Sequence, residues 1–543
     1  MKILLYSNSL YDDISKCNCN TTDEIHLFQQ YYIPLDTERY NEIRDTLRTN
    51  IMNDNIHKIH LLNEEIYDYR DPLLMNSKIV QSCIKKRLTY EDVIVYVRKN
   101  RIKGYIIIAN ADIFFDETLY NIRYSELCTA YQKMITQLRF EYNGDCSTSP
   151  IFGPRIDSQD TWMFHTNEFI SMDQETVFNF ELGTPGCDNK MIYLLKVLGF
   201  TIVNDPMKIK TYHNHKSIHR DYPEPLILPY GFITPYGYPD MDPSLGPDYA
   251  KLFSTLQTVS FDDNSVLYQY LINKMELGEK CIIPRIAGVE NNVAFAVQNN
   301  IACDSMLSHM KNNAGISFDN YASMCSYSSC YLKAFVNCEF FCCWELQGNF
   351  INHISQSHAY MMSYFREKKR IWAFTLDIFH YIHSNPWTRS LSGKRILIIS
   401  SFIETMKKQV PHLEKIYNVD LFPQCTFSFI KPPLKQGKEI SLDFQEELRL
   451  FFLELDKIKD DYDIALVSSG GNGNIICNYI FEQHNKSAIY VGGVLQMYFG
   501  ILGNRWIVER NEILHLYYNK YWVRPDKLER PIGHETIENS CYW

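Results

Sequence analysis

The stretch Tyr105–Leu119, YIIIANADIFFDETL, decides how the first part of the chain folds. Its opening residues form a continuous apolar run too short for a helix, which predicts a strand buried on both faces of a parallel sheet. Three acids then follow: Asp112, Asp116 and Glu117. In open parallel sheets ligands bind beyond the carboxyl ends of the strands, where loops converge and helix N-termini point outward. Asp112 stands at such an end, whereas Asp116 and Glu117 fit the start of a following helix, where the dipole favours negative charge. Asp112 itself has two readings: a cap for a turn or helix, or a ligand for a divalent cation that could bridge a diphosphate.

Working outward, the runs KILLYS, IHKIHLL and FTIVND are further strands, separated by helical stretches. The expectation is a doubly wound α/β domain over residues 1–222. A seam follows at Asp221–Ala250, which holds seven of the chain's 21 prolines. Proline fixes φ and removes a donor, so residues 223–250 read as a linker. Residues 251–543 then divide into a helical lead-in, 251–390, and a second, Rossmann-like α/β core, 391–543, with strands KRILIIS, YDIALVSS and SAIYVGG.

The composition agrees with this plan. A chain of 543 residues suggests roughly two to four domains. Its 45% hydrophobic and 22% charged residues are ordinary globular usage. A net charge of −10 argues against a general nucleic-acid binder, which needs a basic face, and leaves a small anionic ligand easier to accommodate. The 16 cysteines are scattered without recurring zinc spacing and read as reduced thiols. The apolar run in MKILLYSNSLYDD is too short for a signal peptide, and nothing approaches the ~18 apolar residues of a membrane span, so the cytoplasm is the expected compartment.

Several residues could carry chemistry. In PMKIKTYHNHKSIHRDY, His213 and His215 alternate along an extended segment and so share a face, beside Lys210, Lys216 and Arg220. Two such imidazoles fit completion of a manganese-type site begun by Asp112 better than a packed core. In FELGTPGCDNKMIYLL, the turn at Gly183, Pro185 and Gly186 leads into an amphipathic helix opened by Asp188. Asp188 is either a first-turn carboxylate favoured by the dipole or a general base for an acceptor hydroxyl. Asp160, in SQDTWMF, is a second candidate for donor or acceptor contact. In the second half, Gly470, Gly471 and Gly473 stand between strand and helix, and Gly492, Gly493 and Gln496 at the next strand end. They form either a phosphate-approaching crevice or tight βα connections.

Six stretches in order, ERYNEIRDTLRTNIMNDNIHKIHLL, RLTYEDVIVYV, IIIANADIFFDETL, SQDTWMF, FELGTPGCDNKMIYLL and IKTYHNHKSIHRDY, resemble the GT-A type sugar-nucleotide glycosyltransferases of large DNA viruses, the chlorovirus multi-domain enzymes included. The resemblance covers about residues 1–222. It implies a GT-A fold, a UDP- or other NDP-sugar donor, Mn2+ or Mg2+, a hexosyl or deoxyhexosyl transfer to a glycan or glycoprotein acceptor, and a host-cytoplasm or virus-factory location. The family's DxD motif falls on Asn110-Ala111-Asp112, leaving Asp112 as its carboxylate. By the same resemblance Tyr6, Ser7, Asn63 and Glu64 lie near the nucleotide, and Arg87 and Tyr90 near the donor.

Residues 255–543, through PRIAGVENNVAF, NPWTRSLSGKRILIISSFIETMKKQ and SAIYVGGVLQMYFGILGNRW, are similar to a family from bacterial polysaccharide clusters and, more distantly, to GT-D type glucosyltransferases. That likeness places an Arg-plus-DxE motif on Arg285, Gly288 and Glu290, with Gly288 in place of the Asp. It implies a diphosphate-binding Arg285 and a Glu290 acting on a hydroxyl; a buried structural Arg/Glu pair is the alternative. Three functions stay open: a tandem glycosyltransferase, possible as an oligomer; an N-terminal enzyme with a glycan-binding or scaffolding second half; and a catalytically dead structural protein.

Overall fold

The computed structural model describes residues 22–125, 127–128, 132–153, 157–168, 176–216, 229–230, 257–258, 261–344, 356–509 and 511–543. Two compact units follow one another in the chain, residues 2–258 and 259–543 apart from Met1. KILLYS, with Tyr6 and Ser7, lies outside the described residues.

The N-terminal unit is a mixed α/β fold around a mostly parallel sheet. Its elements are β1 (Ile25–Gln29), α1 (Thr37–Met52), β2 (Lys58–Asn63), β3 (Ile79–Cys83), α2 (Tyr90–Lys99), β4 (Tyr105–Ala109), β5 (Ile113–Phe115), β6 (Lys133–Thr136), β7 (Phe140–Glu141), β8 (Thr161–His165), α3 (Cys187–Val197), β9 (Thr201–Val203) and β10 (Thr211–His213). Seven strands form the main sheet in the order β3-β2-β1-β4-β8-β6-β9. β8 pairs antiparallel with both neighbours, and the other pairs are parallel. β4 is buried along its whole length, as its apolar run requires. Alternate residues Tyr105, Ile107 and Ala109 pack in one cluster with Ile25, Leu27, Ile59, Leu61 and the α1 residues Ile43 and Leu47. Each of these leucines and isoleucines contributes about 1.5–3 kcal/mol on burial.

β1, missed in the sequence because His26 and Gln29 interrupt its apolar character, pairs with both β2 and β4. Both polar side chains have work inside the fold. His26 meets His60 of β2 at 3.1 Å. Gln29 donates to the carbonyls of Asn110 (2.8 Å) and Ile113 (3.0 Å), just past the end of β4. Asn50 of α1 completes the pinning: it donates to Ile113 O at 3.0 Å and accepts from Phe115 N at 3.2 Å. A small second sheet, β5-β10-β7, is built on this anchored segment. A short parallel pair, β11 (Pro229–Tyr230) and β12 (Gln257–Thr258), lies in the same unit.

The C-terminal unit holds β13 (Ile282–Ile283), β14 (Phe340–Cys343), β15 (Lys369–Trp372), β16 (Arg395–Ile399), β17 (Thr426–Ile430), β18 (Ile464–Val467) and β19 (Ser487–Tyr490). Five form a fully parallel sheet, β13-β19-β18-β16-β17, packed on helices that include Gly288–Gln298, Tyr321–Asn337 and Gly473–Tyr479. The expectation of a helical lead-in over 251–390 is corrected in part. β13 joins the sheet, and β14 and β15 pair with one another, with a further bridge from Arg285 to Cys342. These strands are two to four residues long, too short for a period-two pattern to show.

Replacing Asn50 by Ala removes the acceptor of the Phe115 amide and leaves the Ile113 carbonyl with Gln29 as its side-chain donor. A loss of about 2 kcal/mol in unfolding free energy is expected, measured as a shifted urea midpoint at unchanged slope; an unshifted midpoint contradicts the pinning role.

Candidate functional site

Strand register assembles the site. Because Ala109 of β4 faces Thr161 of β8, the residues just beyond, Asn110 and Asp160, become neighbours. Asn110 donates its backbone N–H to Asp160 O (3.3 Å) and its side-chain Nδ2 to Asp160 Oδ1 (2.8 Å). Because His213 of β10 faces Ile113 of β5, the chain after β10 runs back past Asp112, with Asn214 N donating to Asp112 O at 2.8 Å.

The result is a buried cluster around one carboxylate oxygen. Asp112 Oδ2 lies 3.2 Å from His213 Nε2 and 3.4 Å from His215 Nδ1. It also lies 2.6 Å from Arg39 Nη2, which reaches it from the first turn of α1. Burial opposes ionisation of Asp112, but His213, His215 and Arg39 outweigh it and hold its carboxyl well below the usual range. Around His213 the same contest runs the other way: burial lowers its pKa, yet Asp112 and Glu141, the latter 3.1 Å from Nδ1, raise it to about 9. Glu141 also accepts from Arg139 Nε at 2.8 Å. Arg139 Nη1 pairs with Asp160 Oδ2 and donates to Ser158 Oγ at 3.1 Å.

This donor set fits a divalent cation. One oxygen and one nitrogen from each imidazole all lie within 4.8 Å of one another, and two imidazoles with a carboxylate suit a manganese-like ion. Among the described residues His215 Nε2 is buried without a hydrogen-bond partner, while the ring's other nitrogen faces Asp112.

Asp188 is placed differently. It stands in the first turn of α3, entered through Gly186 at φ 83°, a conformation glycine adopts without strain. Its oxygens accept backbone N–H groups from Gln159 (3.2 Å) and Asn189 (3.0 Å). Burial, then Asp160 and Asp157, push its pKa up to about 7. The helix dipole and these hydrogen bonds favour the charged form, but desolvation and like charge win. Asp160, engaged by Asn110 and Arg139, is a held group.

The remaining residues named from sequence divide. Arg87 is partly exposed, 3.7 Å from Glu181, and its Nη2 lies 3.1 Å from where a Cβ on Gly183 would sit, a position that is itself near Asn110. Tyr90 is fully buried, with its ring against Trp162 and Phe180, so it belongs to the core beneath and has no surface to offer a donor. Asn63 is also fully buried and braces strand ends, accepting from Tyr31 N at 2.8 Å, while Glu64 is exposed. Arg39, Glu42, Arg139 and Glu141 escaped the sequence reading. Each reaches the site across a distance in sequence that no spacing rule spans.

In the C-terminal unit the glycine turn has a packing reason. A Cβ on Gly473 would meet the Tyr490 ring at 2.1 Å, and one on Gly471 would meet Ile316 at 2.5 Å. The carbonyls of Gly470 and Gly471 accept the hydroxyls of Tyr490 (2.8 Å) and Tyr327 (2.7 Å). These contacts give the absence of a side chain at Gly471 and Gly473 a packing reason. Beyond β19, Gly492 makes room for Arg285: its Cβ would stand 2.7 Å from Nη1. Gly493 does the same for Tyr542, and Gln496 Nε2 donates to the carbonyls of Ile501 and Tyr542. Arg285 Nη1 donates to Val491 O at 2.7 Å, its guanidinium lies over Trp344, and its Nε is buried without a partner among the described residues. Glu290, buried in the first turn of the helix Gly288–Gln298, has a pKa raised chiefly by burial.

No protein-family model matches the chain, and no curated protein does. Among solved structures it is similar to a mannosyltransferase of Pyrobaculum calidifontis, PcManGT, in complex with GDP-Man and Mn2+. That likeness has 9% identity over 37% of this chain and 61% of that one, with a TM-score of 0.25. It is also similar to GalNAc-T7 with UDP, GalNAc and Mn2+ (10% identity, 36% and 44% covered, TM-score 0.28). A third is 4-diphosphocytidyl-2C-methyl-D-erythritol synthase (8% identity, 35% and 92% covered, TM-score 0.22). The chain spans less than two thirds of the first two.

The raised pKa of Asp188 has a consequence for stability. Its folded value near 7 exceeds the ~3.9 of an unfolded Asp, so ionisation works against folding as pH rises through that window. Asp188→Asn is therefore expected to raise the melting temperature at pH 8 and leave it unchanged at pH 3.5, read by thermal melts at both pH values; an equal shift at both contradicts the assignment.

Proposed function

We propose that the N-terminal unit is a nucleotide-sugar-dependent glycosyltransferase, metal-assisted, that moves a hexosyl or deoxyhexosyl group to the hydroxyl of a glycan or glycoprotein. The observation that carries this reading is the convergence of Asp112, His213 and His215 on one point past the end of a central parallel strand. A ligand in a doubly wound sheet is expected there. Asp112, His213 and His215 would hold Mn2+ or Mg2+, whose charge would offset that of a leaving nucleoside diphosphate. Asn110 and Asp160 form the adjoining wall, fixed to one another by two hydrogen bonds. Arg87, a partly exposed cation, and Asn110 both border Gly183.

Asp188 is the general base in this reading. A base works best with a pKa near the working pH, and its value of about 7 meets that condition. Asp160 is less suited, since Arg139 and Asn110 already engage its two oxygens. Asp188 would take the proton of the acceptor hydroxyl as that oxygen attacks the anomeric carbon, and the electron pair of the breaking bond would leave with the diphosphate.

For the second unit, the tandem reading rests on the sequence resemblance and on Arg285 and Glu290, and a glycan-binding or scaffolding role is the alternative. The relation to virus-type enzymes rests on the sequence resemblance.

The test is nucleoside diphosphate release from a panel of nucleotide sugars with Mn2+ and candidate acceptors. Wild type is expected to turn over at least one donor, Asp112→Ala to lose roughly 100-fold or more, and Asp188→Asn to lose about 100-fold. The wild-type rate should rise with pH through about 7, the limb that Asp188 controls. Release by Asp112→Ala equal to wild type would overturn the reading.

A further inference from the structure

Arg39 occupies the oxygen a cation would need. Its Nη2 stands 2.6 Å from Asp112 Oδ2, closer than either imidazole on the same atom. A carboxylate oxygen has two lone pairs, and here three donors crowd one. A bound divalent ion sits about 2.0–2.2 Å from oxygen and imidazole ligands, which leaves no room on Oδ2 for a guanidinium of like charge. We propose that Arg39 is a built-in counterion of this site: guanidinium and cation compete for Asp112 Oδ2, and the displaced guanidinium then serves the diphosphate. The inference rests on the cation reading given above and adds to it the residue that regulates occupancy.

The surroundings allow the exchange. Arg39 Nη1 also contacts Glu42 Oε2 at 3.1 Å, so the side chain keeps a partner when it leaves Asp112. Its backbone is fixed, because its N–H donates to the α1 cap Asp36 at 2.7 Å. Only the side chain has to move. It lies in the first turn of α1, where the helix dipole also favours an anion, and a planar guanidinium matches phosphate oxygens two at a time. Without the cation, Arg39 neutralises a buried carboxylate; with it, the neutralising charge is duplicated and the arginine is freed.

Mn2+ alone, titrated into metal-free protein and followed by electron paramagnetic resonance, tests the competition without turnover. Arg39→Gln and Arg39→Met, both neutral, are expected to bind Mn2+ about tenfold tighter than wild type, while Arg39→Lys stays near wild type. With Mn2+ saturating, UDP or GDP should bind the neutral variants about tenfold more weakly. Circular dichroism melts identify which variants are folded, and the two neutral replacements back one another. Equal or weaker Mn2+ binding by a folded neutral variant would overturn the proposal and make Arg39 a fixed clamp, while the cation reading survives if wild type binds Mn2+ and Asp112→Ala does not. Tighter Mn2+ with unchanged nucleotide binding would overturn the transfer to diphosphate. No Mn2+ binding by any variant would overturn the cation reading and this proposal together.

Discussion

The backbone leaving β4 is buried, and its polar groups need partners that the sheet no longer supplies. Gln29, Asn50 and Asn53 meet that need by bonding the main chain of Asn110, Ile113, Phe115 and Asp116. The turn so fixed carries Asp112 and starts β5. β5 sets the register of β10, and β10 returns His213 and His215 to Asp112. A buried amide on β1 and another on α1 thus determine where three side chains, distant in sequence, converge.

Charge balance separates the acids around that turn into roles. Asp112 is overcompensated, with an arginine and two histidines on one oxygen. Glu141, against the pull of its burial, is drawn down to about 2 by His213 and Arg139. Asp188 is buried beside Asp160 and Asp157, which outweigh its two backbone amide donors, so its proton is held more tightly. Two carboxyl groups in one unit therefore sit on opposite sides of the usual value, one suited to a cation and the other to a proton. Pairs pushed apart in this way are common where acid–base chemistry is done.

Part of this was legible in the sequence. β4 stood out because three isoleucines together leave little alternative to a buried strand, and the capping role of Asp116 followed, its side chain accepting from Thr118 N at 2.9 Å. The alternation of His213 and His215 announced a shared face. β1 did not stand out, because its polar residues are satisfied by tertiary partners that no local pattern shows. Arg39 was hidden for the same reason: a cation three residues past a helix cap is ordinary on a surface, and its partner lies 73 residues away. Tyr90 and the glycines at 470–473 show the opposite case. Residue types common in sites are here used for packing, which only the neighbours Trp162, Tyr490 and Ile316 reveal.

The proposed role of Asp112, His213 and His215 is to hold a divalent cation at the strand end. An X-ray structure grown with Mn2+ and a nucleoside diphosphate, with anomalous data collected at the manganese edge, tests it most directly. The expected result is an anomalous peak bonded to Asp112 Oδ2 and both imidazoles, with the Arg39 guanidinium moved off that oxygen. A nucleotide bound with no manganese at this point, and Arg39 still on Asp112, would contradict it.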